Sequence, residues 1–88
     1  MTEADELIEK LLIETEIHQL ILHNDDHNTF EKVIVCLKQY CKHSDHQAEQ
    51  CSLIVHHKGK CSIKHGNLDD LLPIHESLLD KGLIVTLE

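Results

Sequence analysis

Three short apolar or alternating runs constrain the fold of this chain more than any other feature. Ile17 to His23 carries Leu20-Ile21-Leu22 and ends at Asn24-Asp25-Asp26. Lys60 to His65 alternates Cys61, Ile63 and His65 with Ser62 and Lys64, and Leu83, Val85 and Leu87 alternate with Ile84, Thr86 and Glu88. Each reads as a strand bounded by turn residues. Strands this short are not stable by themselves, so another layer must cover one face of the sheet they form. The segments between them have the helical period. Phe30, Val33, Ile34, Leu37 and Cys41 fall on one helix face, Ala48, Cys51, Ser52 and Val55 on another, and Leu71, Ile74, His75, Leu78 and Leu79 on a third. The order strand, helix, helix, strand, helix, strand predicts an α+β domain of two layers, a small three-stranded sheet packed with three helices.

Local signals predict where these elements begin and end. Asn28 followed by Glu31 has the form of a capping box ahead of the first helix, Ser44 with Gln47 makes a stronger one, and Gly59 offers a left-handed C-terminal cap. Pro73 removes a hydrogen bond from a helix interior, so the third helix is expected to begin near Asp70 or to kink there before stopping at Gly82. Residues 1–16 carry six acids and one lysine. Leu7, Ile8, Leu11 and Leu12 stand at helical spacing, but a helix of about a dozen residues is marginal without a partner. The segment therefore reads as a mobile acidic tail, and residues 17–88 as the one domain. Eighty-eight residues leave no room for a second core. Phe30 and Tyr40 are the two aromatics, so aliphatic side chains must fill that core.

Sixteen acids against eight lysines give a formal net charge of −8, and the lysines are scattered rather than gathered on one face. Nucleic acid is excluded as a partner by that field, whereas an amine-bearing ligand is favoured. No apolar stretch approaches the roughly 18 residues of a membrane span. The N-terminus is acidic where a secretory signal is basic and then apolar, which predicts a cytoplasmic protein, expected to be monomeric. In that compartment Cys36, Cys41, Cys51 and Cys61 are expected as reduced thiols. Four Cys and nine His raise a zinc-binding interaction domain as the alternative reading. The spacings oppose it: there is no Cys-x-x-Cys, Cys36 and Cys41 diverge on a helix, and Cys51 and Cys61 belong to different elements. No metal or cofactor is expected.

The candidate chemistry lies in Asn24-Asp25-Asp26 and in His56. On a helix Ser52, Val55 and His56 share a face and offer a hydroxyl, an aliphatic surface and an imidazole. If the Asn-Asp-Asp turn lies beside them, carboxylates, an amide oxygen and an imidazole nitrogen converge on one spot, a set of acceptors suited to an ammonium group. Two plainer readings stand beside this one: a turn whose side chains bond to nearby backbone, and a surface histidine. No nucleophile motif accompanies these residues, so no enzyme activity is expected.

From residue 19 onward the sequence resembles the ClpS adaptors, which deliver N-degron substrates of the N-end rule to a Clp-type AAA+ ATPase and its peptidase. The resemblance rests on Leu20-Ile21-Leu22-His23-Asn24-Asp25-Asp26, on Phe30-Glu31-Lys32-Val33-Ile34, on Leu53-Ile54-Val55-His56-His57-Lys58-Gly59-Lys60 and on Leu83-Ile84-Val85-Thr86-Leu87-Glu88. It implies a small sheet with three helices. It also implies that Asn24 and His56 hold the free α-amino group of a substrate, that Asp25 assists, and that Asp26 lies beside the substrate backbone. Ile21, Phe30, Val55 and Leu83 would line the pocket for a bulky apolar first side chain. Ser52 stands where the family usually has a gating Met, and His27-Asn28-Thr29 replaces an aromatic-Thr-Pro lead into the first helix. The acidic N-terminal segment does not match the family's delivery extension.

Overall fold

β1 (His18–His23) is the centre of the sheet, paired antiparallel with β2 (Lys60–Gly66) on one side and β3 (Ile84–Leu87) on the other. The structure, a computed structural model, describes residues 2–88 except the side chains of residues 12–15, so Met1 and the Leu12 side chain lie outside the described residues. Strand alternation divides the side chains of β1 between two faces. Leu20 and Leu22 enter the main core with Ile63 and Val85, whereas Ile21 is buried but stands outside that cluster. The register with β2 shifts between Leu20 and Ile21, a bulge that gives β2 one extra residue.

The covering layer consists of α2 (Phe30–Cys41), α3 (Asp45–Lys58) and α4 (Leu68–Asp80). Leu37, Leu71 and Leu78 are fully buried against the sheet, with Cys36, Cys41, Ala48, Cys51 and Val55 filling the smaller gaps. His43 is buried in the α2–α3 connection and donates from Nε2 to the Ile63 carbonyl at 2.6 Å, fastening the helical layer to β2. The expected α+β two-layer architecture and, from β1 onward, its strand and helix order are what the chain adopts.

Three boundaries differ from expectation. The N-cap of α2 is Thr29, whose hydroxyl accepts from the Lys32 N–H at 3.1 Å. Asn28 is not the cap because its side-chain amide is engaged elsewhere, as described below. α4 starts at Leu68 rather than near Asp70, since Asn67 caps it by accepting from the Asp70 N–H at 2.9 Å. Pro73 sits inside α4 and leaves the Asp69 carbonyl without its helical donor; both residues are exposed, so water can serve that carbonyl. Finally, the segment read as a tail contains a helix, α1 (Glu3–Thr15), which makes four helices rather than three. Thr2 and Asp5 explain its start. The Thr2 hydroxyl accepts from the Asp5 N–H at 3.2 Å while Asp5 Oδ2 accepts from the Thr2 N–H at 3.3 Å, a reciprocal cap reinforced by acids in the first turn.

The other caps match the sequence reading. Ser44 accepts from the Gln47 N–H at 3.1 Å, and Gly59 ends α3 at φ 91°. Among the described residues no helix is long and apolar enough to cross a membrane.

Candidate functional site

Asn24 leaves β1 where the strand meets the end of α3. Its backbone N–H donates to the Gly59 carbonyl at 2.9 Å. Gly59 adopts the left-handed conformation that a side chain would strain, and this lets α3 stop one turn after His56 and turn directly into β2. The loop after β1 and the last turn of α3 are thereby held side by side.

Asp25 then folds the loop onto itself. Its Oδ1 accepts from the backbone N–H groups of His27 and Asn28, each at 2.8 Å, and its Oδ2 accepts from Asn28 Nδ2 at 2.8 Å. The same Asn28 amide donates to the Gly82 carbonyl at 2.9 Å, tying the loop to the turn before β3. Partial burial acts to raise the Asp25 pKa. The Asn28 side chain, the two backbone N–H groups and the nearby His27 outweigh it and hold the carboxyl below its ordinary range. Asp25 is thus a charged turn residue, the plainer of its two readings, and its negative charge stays at the mouth of the site.

The two sides enclose a hollow of about 410 Å³, within the size range of ligand pockets. Asn24, Asp25, Asp26 and Asn28 form its polar rim; Phe30 and Val33 of α2 face Ser52, Leu53, Val55 and His56 of α3 across it. Phe30 is 40% exposed and Leu53 47%, leaving an apolar wall in water beside the acceptors. The side chains of Asn24, Asp26 and His56 make no hydrogen bond among the described residues, so their acceptor atoms are open to a ligand. His57 packs edge to face on His56, with ring centroids 5.2 Å apart. The last turn of α3 ends in His56, His57 and Lys58. A terminus of this kind favours cations through the helix dipole.

Seven of the residues singled out in the sequence therefore meet at one place: Asn24, Asp25, Asp26, Phe30, Ser52, Val55 and His56. Ile21 and Leu83 do not. Ile21 belongs to the sheet face turned away from the helical core, and Leu83 is itself part of that core, 3% exposed. The hollow also uses Asn28, Val33 and Leu53. Val33 was legible, one turn after Phe30, but its helical period counts equally well toward the core. Nothing local marks Asn28, whose second partner is 54 residues away.

Among the described residues no group of three or more His, Cys, Asp and Glu is placed to hold a metal ion. The four cysteines are free; burial pushes the Cys41 thiol up to about 11 and raises that of Cys51, so both remain protonated core groups.

The family model for the ATP-dependent Clp protease adaptor protein ClpS matches residues 14–86. The chain belongs to the ClpS family. Among curated relatives, the ClpS adapter of Shewanella pealeana is 36% identical over 57 residues, 65% of this chain and 56% of that protein. The ClpS adapter of Shewanella piezotolerans is 34% identical over the same shares of the two chains. The chain thus spans just over half the length of the curated relatives it matches. Among solved structures, Agrobacterium tumefaciens ClpS2 bound to L-phenylalaninamide superposes with a TM-score of 0.78 at 23% identity, covering 83% of this chain and 95% of that one. That protein therefore shares the fold described above.

Proposed function

We propose that this chain is an N-degron adaptor: it binds the free α-amino group and the bulky apolar first side chain of a substrate protein and delivers that protein to a Clp-type AAA+ ATPase and its peptidase. The observation that carries this reading is the hollow itself, in which the open acceptors of Asn24, Asp26 and His56 adjoin the apolar surface of Phe30, Val33 and Val55. The ligand of the Agrobacterium relative has the same two features, a free amino group and an apolar side chain.

In this reading Asn24 and His56 accept from the ammonium, Asp26 lies beside the peptide backbone, and Asp25 contributes charge while shaping the loop. Each charge-assisted hydrogen bond contributes about 1.5–3 kcal/mol, and burying a Leu or Phe side chain a similar amount, before ordering costs. Two such bonds and one buried side chain sum to about 4.5–9 kcal/mol before those costs, which places net affinity at micromolar or weaker. An internal residue would bring an amide and a preceding chain, leaving the acceptors unpaired against a wall, so chain termini are selected. The protein acts as a monomeric, cytoplasmic binding module without catalysis of its own.

The experiment is a binding panel with the 88-residue protein. Peptides that differ in the first residue are compared with and without acetylation of the α-amino group. A Leu- or Phe-starting peptide is expected to bind, and acetylation to abolish binding; equal affinity after acetylation contradicts the reading. Degradation of a reporter starting with Phe by a Clp ATPase and peptidase, dependent on added adaptor, tests delivery.

A further inference from the structure

We infer that the hollow prefers a first side chain ending in a hydrogen-bonding atom, tyrosine above phenylalanine, and that Ser52 is the residue that makes the distinction. This rests on the proposed reading of the hollow as the seat of a first side chain, and it concerns which side chain is accepted rather than whether a terminus is bound.

Ser52 is 4% exposed and stands in the wall beside Leu53 and Val55, facing Phe30 and Val33. Its Oγ is buried and has no hydrogen-bond partner. A serine within a helix ordinarily donates to the carbonyl four residues back, which is Ala48 here, but Oγ makes no such bond. The buried positions around it on α3 are Ala48, Cys51 and Val55, small apolar groups that close the packing without leaving a polar atom unpaired. A hydroxyl in that company is unfavourable unless something pairs with it.

In its present rotamer Oγ is sealed from solvent. No bond holds it there, so Oγ can turn about χ1 to another staggered position with no hydrogen bond lost, on a residue that already lines the hollow. A phenylalanine or leucine side chain filling the space leaves the hydroxyl unpaired, as it is in the free protein. A tyrosine fills the same space and brings a phenolic oxygen that can both donate and accept. The preference is the bond that tyrosine gains, since phenylalanine leaves the hydroxyl buried and unpaired as it already is.

The test is fluorescence anisotropy with the full chain and three peptides identical beyond a first residue of Tyr, Phe or 4-methylphenylalanine, the last matching tyrosine in shape without its hydroxyl. Tyrosine is expected to bind about three- to tenfold more tightly than either of the others, the range of one net hydrogen bond. Ser52→Ala should bring the Tyr/Phe ratio to about one, and Ser52→Thr should keep it above one. A ratio of one or less in the unaltered protein, equal binding of Tyr and 4-methylphenylalanine, or a ratio that survives Ser52→Ala overturns the inference. The acetylated peptides separate it from the adaptor reading. Binding lost on acetylation with no Tyr preference sinks the selection by Ser52 and leaves the adaptor reading intact. A Ser52-dependent Tyr preference that ignores acetylation supports the selection and sinks the adaptor reading.

Discussion

The backbone N–H of Asn24 donates to the carbonyl of Gly59 at 2.9 Å, and this single bond brings the end of the central strand against the last turn of α3. It places Asn24 and His56 on one rim although 31 residues separate them, so the two side chains can act on one ligand group. Both are exposed and neither supports the core. Asn24→Ala and His56→Ala are therefore each expected to weaken binding of a Phe-starting peptide by about ten- to hundredfold, the loss of one charge-assisted bond. Thermal unfolding by circular dichroism should stay within about 2 °C of the unaltered protein, since exposed substitutions of this kind barely move stability. Unchanged affinity in both variants would remove them from the site.

Asn28 bridges the Asp25 carboxylate and the Gly82 carbonyl with one amide. Asn28→Ala removes both bonds and unties the loop from the turn before β3. A stability loss of about 1–2 kcal/mol by urea unfolding is expected, together with weaker peptide binding as the loop that carries Asn24 and Asp26 loosens. A variant as stable as the parent would show that the bridge holds nothing.

The charge of Asp25 has its own signature. Its folded-state pKa lies below the ordinary 3.8, so the stabilisation is complete above that value and is lost as pH falls through the lower, folded-state value. Urea midpoints of the parent and of Asp25→Asn should differ at about pH 5 and draw together as pH falls below 3.8. A difference that stays constant over that interval excludes the carboxylate as the cause.

Binding should respond to pH as well. An imidazole accepts from an ammonium only when it carries no proton on the accepting nitrogen, so affinity is expected to fall as the solution is made more acidic. His57→Gln controls for the neighbour packed on His56 and should retain the profile. Tighter binding at the acid end in the parent protein would rule out His56 as an acceptor.

Lys42 ends α2 at φ 61°, the left-handed region that glycine occupies without strain. Its side chain is exposed, so Lys42→Gly is expected to stabilise the fold by about 0.5–1 kcal/mol in chemical unfolding. Leu71→Ala, by contrast, empties a fully buried position under the sheet and should cost about 2–5 kcal/mol.

Periodicity in the sequence determined most of the architecture. Leu20, Leu22, Ile63 and Val85 alternate as strands must, and Leu37, Cys41, Val55 and Leu78 recur as helices must, because hydrophobic burial acts through the geometry of each element. Ser44 and Gly59 marked their helix ends through bonds local in sequence, and the Thr2–Asp5 cap was equally local, though overshadowed by the acidic composition around it. The tertiary structure alone decided which polar groups were already occupied. Asp25 is bound within its own turn, Asn28 is drawn from its expected cap to Gly82, Ile21 and Leu83 are not among the residues lining the hollow, and Ser52 is left without a partner. A sequence records what each side chain can bond to, but burial and long-range contact determine which of those bonds are made before a ligand arrives.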